Sequence, residues 1–329
     1  MSEIIISGDE HIRSEEPFYS AKKDYFDWFV KQEFNKEENT LINTGDFFHS
    51  KSPTPKDYAL AYSFLHRCKF NTVYILAGNG AHEINITKNT YAIQPLQEIT
   101  NVEIVTDPKM INIENTSIAL LPFIPSWKLR GTTMNDYYQA YIEQSSFTNV
   151  MDYVVGHFFH KDGFGDEVDI SGLSGKRRMG HSHVPTEDGE YVGVNTITRA
   201  DEAGIKPHLN IINASRKSEE LFEVPKFLDY ITLDFETDIS LPEKHPNKAF
   251  YNLYNIKNAP DEQSIYNRYG GISINRWDKK ATIEDVTNTA DQESDEKKSL
   301  SQYFKEFIKN KKINETLKGQ LRELILQKE

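Results

Sequence analysis

Through roughly the first 200 residues, short apolar runs alternate with longer amphipathic ones. Residues 3–7, 41–43, 72–77, 117–122 and 153–156 are short, β-branched and flanked by turn residues, which predicts buried strands. Between them, Tyr25, Trp28 and Phe29 fall on one face of a predicted helix, and Tyr58, Ala61, Tyr62 and Leu65 on one face of another. The second helix opens with Thr54-Pro55, an N-cap followed by proline at the first helical position, where a missing N–H costs nothing. Strand–helix alternation of this kind predicts an α/β layered fold.

From about Arg199 the texture changes. Aromatic and β-branched runs at 230–235, 250–256 and 271–274 are separated by Pro- and Asn-containing turns, predicting a small α+β unit over 201–277. Residues 278–299 then lose their apolar side chains, a composition too polar to offset chain entropy, and read as a flexible linker. In 300–329, helical spacing returns, first at Tyr303, Phe304 and Phe307, then at Leu317, Leu321 and Leu324. Two amphipathic helices beyond a linker have no core of their own, so this segment is expected to dock on a partner.

Composition narrows the classes. The 329 residues include 38 basic and 50 acidic side chains, a net charge of −12, which argues against coating nucleic acid by charge alone. A nucleic-acid enzyme whose positive charge comes from bound metal stays open. Hydrophobic content of 38% excludes a wholly disordered chain. Mean hydropathy is −0.62, and no run of about 18 apolar residues could span a bilayer. The start, Met1-Ser2-Glu3-Ile4-Ile5-Ile6, lacks a basic n-region, so no signal peptide is expected. One cysteine, Cys68, cannot form an internal disulfide, which suits a reducing cytoplasmic setting, and the missing apolar run leads to the expectation of no membrane association.

Five motifs place Asp, His and Asn just after predicted strands: Gly8-Asp9-Glu10-His11, Gly45-Asp46-Phe47-Phe48-His49, Gly78-Asn79-Gly80-Ala81-His82-Glu83, Gly156-His157 and Gly180-His181-Ser182-His183. Strand C-terminal ends are where open α/β sheets gather ligand-binding loops. Asp9 with His11, and His181 with His183, are two apart and point the same way on extended backbone, so each pair could grip a metal. Carboxylate oxygen with imidazole nitrogen suits manganese, iron or zinc better than calcium. Two such ions bridged by a carboxylate, for which Asp46 is the natural choice, can clamp a phosphodiester for in-line attack.

The motif order resembles the calcineurin-like metallophosphoesterase superfamily. Within it, Gly45-Asp46-Phe47-Phe48-His49 followed by Ser52-Pro53, the run Leu120-Leu121-Pro122-Phe123-Ile124-Pro125 and Tyr191-Val192-Gly193 are similar to the SbcD-type DNA-repair nuclease subunit and its phage recombination relatives. The resemblance implies a four-layer β-sandwich flanked by helices over 1–200, then a capping domain, linker and C-terminal helices. It implies Asp9, His11, Asp46 and His183 on one metal, and Asp46, Asn79, His157 and His181 on the other, the two divalent ions being Mn2+ with Mg2+ as the alternative. Implied partners are DNA ends or branched duplex, a second copy of the chain, and an SbcC-type coiled-coil ATPase docked on 300–329. The alternatives are a small-substrate phosphodiesterase of the same fold, or a weakened scaffold subunit that holds DNA and the ATPase.

One motif departs from the family. A histidine beside the substrate usually follows the Asn ligand directly, but here Gly80-Ala81 intervene before His82. Either a bulged loop, aided by positive φ at Gly80, returns His82 to the site as a catalytic group, or the site lacks it. Lys176, Arg177 and Arg178 precede the His pair and either hold DNA phosphates beside the metals or form a solvated basic loop. The three tryptophans read as packing residues.

Overall fold

The computed structural model describes residues 2–144, 151–160, 167–199, 202, 204–235, 249–255, 264 and 274–277. The chain divides into two units, Met1–Asp278 and Lys279–Glu329. The predicted linker and the docking residues Tyr303, Phe304, Phe307, Leu317, Leu321 and Leu324 lie outside the described residues.

In chain order the strands are β1 (Glu3–Ser7), β2 (Thr40–Asn43), β3 (Thr72–Leu76), β4 (Ile84–Asn85), β5 (Thr90–Tyr91), β6 (Val102–Val105), β7 (Lys109–Ile113) and β8 (Thr116–Leu121). They continue as β9 (Tyr153–Gly156), β10 (Lys176–Met179), β11 (His208–Asn213), β12 (Ser218–Glu223), β13 (Asp229–Asp234), β14 (Ala249–Tyr254) and β15 (Ile274–Trp277). The helices are α1 (Phe18–Phe29), α2 (Pro55–Arg67), α3 (Ser126–Leu129) and α4 (Met134–Gln144). Thr54 caps α2 as the sequence predicts, and Asp57 completes a reciprocal capping box on its backbone N–H.

This is a mixed α/β fold built on two main sheets, ordered β12-β11-β1-β2-β3-β6 and β10-β9-β8-β7. Strand alternation sorts their side chains. Ile5, Leu41, Val73 and Ile75 face α1 and α2, whereas Ile4, Ile6 and Ile42 face Ile118, Leu120 and Val155 of the second sheet. Ala119, Leu121 and Val154 on that sheet's far side pack against Tyr138 of α4. Both faces of the central strands are thus covered, which is why those strands read as nearly continuous apolar runs, while the edge strand β12 is largely exposed.

The first sheet takes β11 and β12 from beyond residue 200, where the sequence reading began the accessory unit. Among the described residues after β12, the strands form the parallel sheet β13-β14-β15. Antiparallel pairing of β11 with β1 joins residues some 200 positions apart, a contact that local periodicity cannot reveal. Among the described residues, no helix is long and apolar enough to cross a membrane.

Phe26 of α1 stacks on Phe64 of α2 with ring centroids 3.9 Å apart, both rings being buried. Phe64→Ala should therefore cost about 3–5 kcal/mol. The measurement is a urea titration, in which the midpoint falls while the slope is unchanged.

Candidate metal centre

The strands that feed the site end at one edge. β1, β2 and β3 are parallel and lead into the turns carrying Asp9 and His11, Asp46, and Asn79. In the second sheet, parallel β9 and β10 lead into His157 and into His181 and His183. Backbone contacts then lock the turns together. His11 N donates to Asp46 O (2.9 Å), and His181 N to Asp9 Oδ2 (3.0 Å).

Two glycines are needed for this closeness. A Cβ at Gly78 would lie 2.1 Å from Asp46 Oδ1, and one at Gly180 would lie 2.6 Å from Asp9 Oδ1. Three ligand candidates, His11, Asp46 and His181, have left-handed backbone at φ 46°, 49° and 74°. Non-glycine residues adopt that region at a cost of about 1–3 kcal/mol, typically where side-chain aim matters.

The candidates gather into groups. Ligand atoms of Asp9, His11 and His183 lie within 4.8 Å of one another, as do those of Asp46, His157 and His181. His157 Nδ1 donates to Thr44 O (2.9 Å), so Nε2 is the nitrogen open to a proton or a metal. That Nε2 is buried without a hydrogen-bond partner, 3.3 Å from Asp46 Oδ2. An orphaned imidazole nitrogen beside a buried carboxylate fits a cation held between them. Burial would lower the His157 pKa, but the Asp46 and Asp9 carboxylates outweigh it and raise it to about 9. Burial pushes Asp9 up to about 7, whereas Asp46 is held low by His157 and by the Asn79 N–H in spite of its burial.

Asn79 meets the second group through its nitrogen. Its backbone N and Nδ2 donate to the two Asp46 oxygens (2.9 Å each), and Nδ2 is 3.3 Å from His181 Nδ1. Its Oδ1 accepts from Ala81 N (2.8 Å), so serving as an oxygen ligand requires a half-turn of the amide.

His82 does return to the site. His82 N and Glu83 N both donate to Asn79 O (3.3 and 3.1 Å), forming one helical turn that brings His82 back beside Asn79. Its Nδ1 donates to His49 O (2.9 Å), its Nε2 is 4.0 Å from Asp46 Oδ2, and its ring lies 4.5 Å from that of His11. Positive φ at Gly80 is not the device, since Gly80 is outside the left-handed region and a Cβ there would meet nothing within 4 Å. Glu83, fully buried, fastens this turn to its neighbour by accepting from Gly78 N (2.7 Å) and Phe48 N (3.0 Å).

Two supporting carboxylates were not singled out from sequence. Glu202 receives His183 Nδ1 in a short hydrogen bond and is itself held by Thr198 Oγ1 (2.9 Å) and Arg199 N (3.0 Å). It turns His183 Nε2 toward His11 Nε2, 2.9 Å away. Glu10 pairs with buried Lys22 of α1 at 2.9 Å and accepts from Asn195 Nδ2 (3.1 Å), anchoring the Asp9–His11 turn. Neither stands in a recognisable motif; the faint signal for Glu10 is its place between two ligand candidates.

The basic triplet is a strand, not a loop. Arg178 is buried and doubly bonded to Glu219, which Lys176 also approaches (3.4 Å), while Arg177 faces Glu190 (3.8 Å). Lys176 opens β10 and His181 follows its far end, a span of roughly 16 Å at strand rise. Arg178 is therefore committed to its ion pair with Glu219, whereas the Lys176 side chain stays exposed.

No family model matches the chain, and no curated protein matches it. A solved structure described as "Structural and Functional Characterization of a Novel Archaeal Phosphodiesterase" is similar at 17% identity, covering 67% of this chain and 99% of that one, with a TM-score of 0.34. A likeness of that extent carries no argument about chemistry, which rests on the side chains above.

Gly78→Ala should abolish divalent-metal binding by driving Asp46 aside, whereas Gly80→Ala should leave it intact; calorimetry with Mn2+ distinguishes the two. Protons compete with metal at His157 below about 9 and at Asp9 below about 7. Affinity should therefore rise with pH across that interval and level off above it, with proton release on binding that buffers of different ionisation enthalpy will register.

Proposed function

We propose that the chain is a metal-dependent phosphoesterase and, as the finer reading, the nuclease subunit of an SbcC–SbcD-type repair complex acting on DNA ends. The observation that supports it is the abutting of two carboxylate–imidazole groups, Asp9/His11/His183 and Asp46/His157/His181, around the unpartnered His157 Nε2. Oxygen and nitrogen donors in these numbers suit manganese, with magnesium as the alternative. A pair of divalent ions polarises a phosphoryl oxygen and readies water for attack at neutral pH.

The chain's own residues do the rest. Thr44 O and Glu202 fix the tautomers of His157 and His183, so both rings present Nε2 inward. His82, its Nδ1 proton held by His49 O, presents Nε2 on the Asp46 side, where in protonated form it can donate to a departing alkoxide. The same reading assigns homodimer formation to the chain and ATPase docking to residues 300–329.

The test uses the purified full chain with Mn2+, supplied with linear duplex DNA and with bis-p-nitrophenyl phosphate. Hydrolysis of both is expected, and hydrolysis of the small ester alone would remove the nuclease reading. His82→Ala should lower kcat by about 10²–10⁴-fold with metal affinity unchanged. Loss of metal instead would make His82 a ligand and not an acid.

A further inference from the structure

A cavity is lined by residues that follow His49 and Glu83 in the chain and by residues of α3. Its volume is about 690 Å³, and its walls include Lys51, Tyr58, Lys88, Tyr91, Trp127 and Lys128. Pockets of roughly 300–1,000 Å³ suit ligands of nucleotide size. The walls continue the metal-bearing turns. Lys51 lies two residues past His49, and the β4–β5 hairpin that carries Lys88 and Tyr91 grows from the turn holding Asn79 and His82. Ala92 N donates to Glu83 O (2.7 Å), fastening that hairpin to the turn.

The lining has a chemical character unlike the rest of this acidic chain. None of its residues is Asp or Glu, although the chain holds 50 of them. Lys128 is engaged with Asp107 outside the pocket (2.7 Å), but Lys51 and Lys88 are exposed and have no carboxylate partner among the described residues. Trp127 and Tyr91 meet edge to face with ring centroids 5.6 Å apart. Trp127 is half-buried, one part of its ring packed on the core and the rest open to the pocket. Tyr91 is 8% exposed, and its buried hydroxyl has no hydrogen-bond partner among the described residues. Aromatic faces beside unpaired lysines are how proteins hold unpaired bases with their phosphates.

We propose that this pocket receives an unpaired nucleotide of a DNA strand whose neighbouring phosphodiester lies at the metal centre, its base stacked on Trp127 and its phosphates on Lys51 and Lys88. The inference rests on the nuclease reading above and adds a preference for frayed or single-stranded ends over blunt duplex.

The experiment is a titration of the full chain, without metal, with oligo(dT) of about ten nucleotides. Expected are quenching of tryptophan fluorescence and binding tighter than to a blunt duplex of equal length. Trp127→Ala should weaken binding roughly 10-fold and Trp127→Phe much less, because base stacking survives on any aromatic face. Lys51→Ala/Lys88→Ala, at exposed positions that do not threaten folding, should reduce the slope of log affinity against log salt by about 1.4. No binding of oligo(dT) by the parent would overturn the proposal. So would Trp127→Ala and the lysine pair binding as the parent does. Bis-p-nitrophenyl phosphate hydrolysis by the unaltered chain gauges the phosphoesterase reading separately. Hydrolysis without oligo(dT) binding defeats only this proposal, and binding without hydrolysis defeats only that reading.

Discussion

Asp9 and Asp46 sit fully out of water where the two sheets meet, and bare carboxylates there would suffer both lost hydration and mutual repulsion. The surrounding chain offsets this with backbone donors and imidazoles. His181 N and Asn79 N hold one carboxylate each, and His157 stands between them. The arrangement still leaves Asp9 raised and His157 Nε2, 3.3 Å from Asp46 Oδ2, without a hydrogen bond, a setting that fits a cation. Left-handed backbone at His11, Asp46 and His181 and the glycine contacts at Gly78 and Gly180 belong to the same constraint.

From that constraint the outer layers follow. Each carboxylate and imidazole needs a fixed aim, and the fold supplies it through parallel strands ending at a common edge. Glu83 binds two of the turns to each other, the buried Glu10–Lys22 pair binds a third to α1, and Glu202 fixes His183 from behind. Substituting any of these supports would disturb ligand aim without touching a ligand.

Much of this is legible in sequence, for a physical reason. Strands buried on both faces appear as apolar runs, so β1, β2, β3, β8 and β9 stand out, and with them the turn residues at their ends. What the sequence conceals is set by distant pairing. β10 does not stand out because its Lys176-Arg177-Arg178 run carries no apolar alternation; its place between β9 and the Glu219 carboxylate is tertiary. β11 and β12 join the first sheet because β1 needs a neighbour on its other side, which no local pattern states. Glu202 is hidden because its role exists only once His183 is folded against it. The return of His82 is not decided by local sequence, because Gly80-Ala81 suits a helical turn as well as an extended bulge.

The central claim is that the buried Asp and His side chains form a two-metal centre. Anomalous diffraction at the manganese edge from crystals grown with Mn2+ tests it most directly. The account predicts two peaks, one within the Asp9, His11 and His183 group and one within the Asp46, His157 and His181 group. A single peak elsewhere, for instance among His11, His49 and His82, or no peak at all, would contradict it.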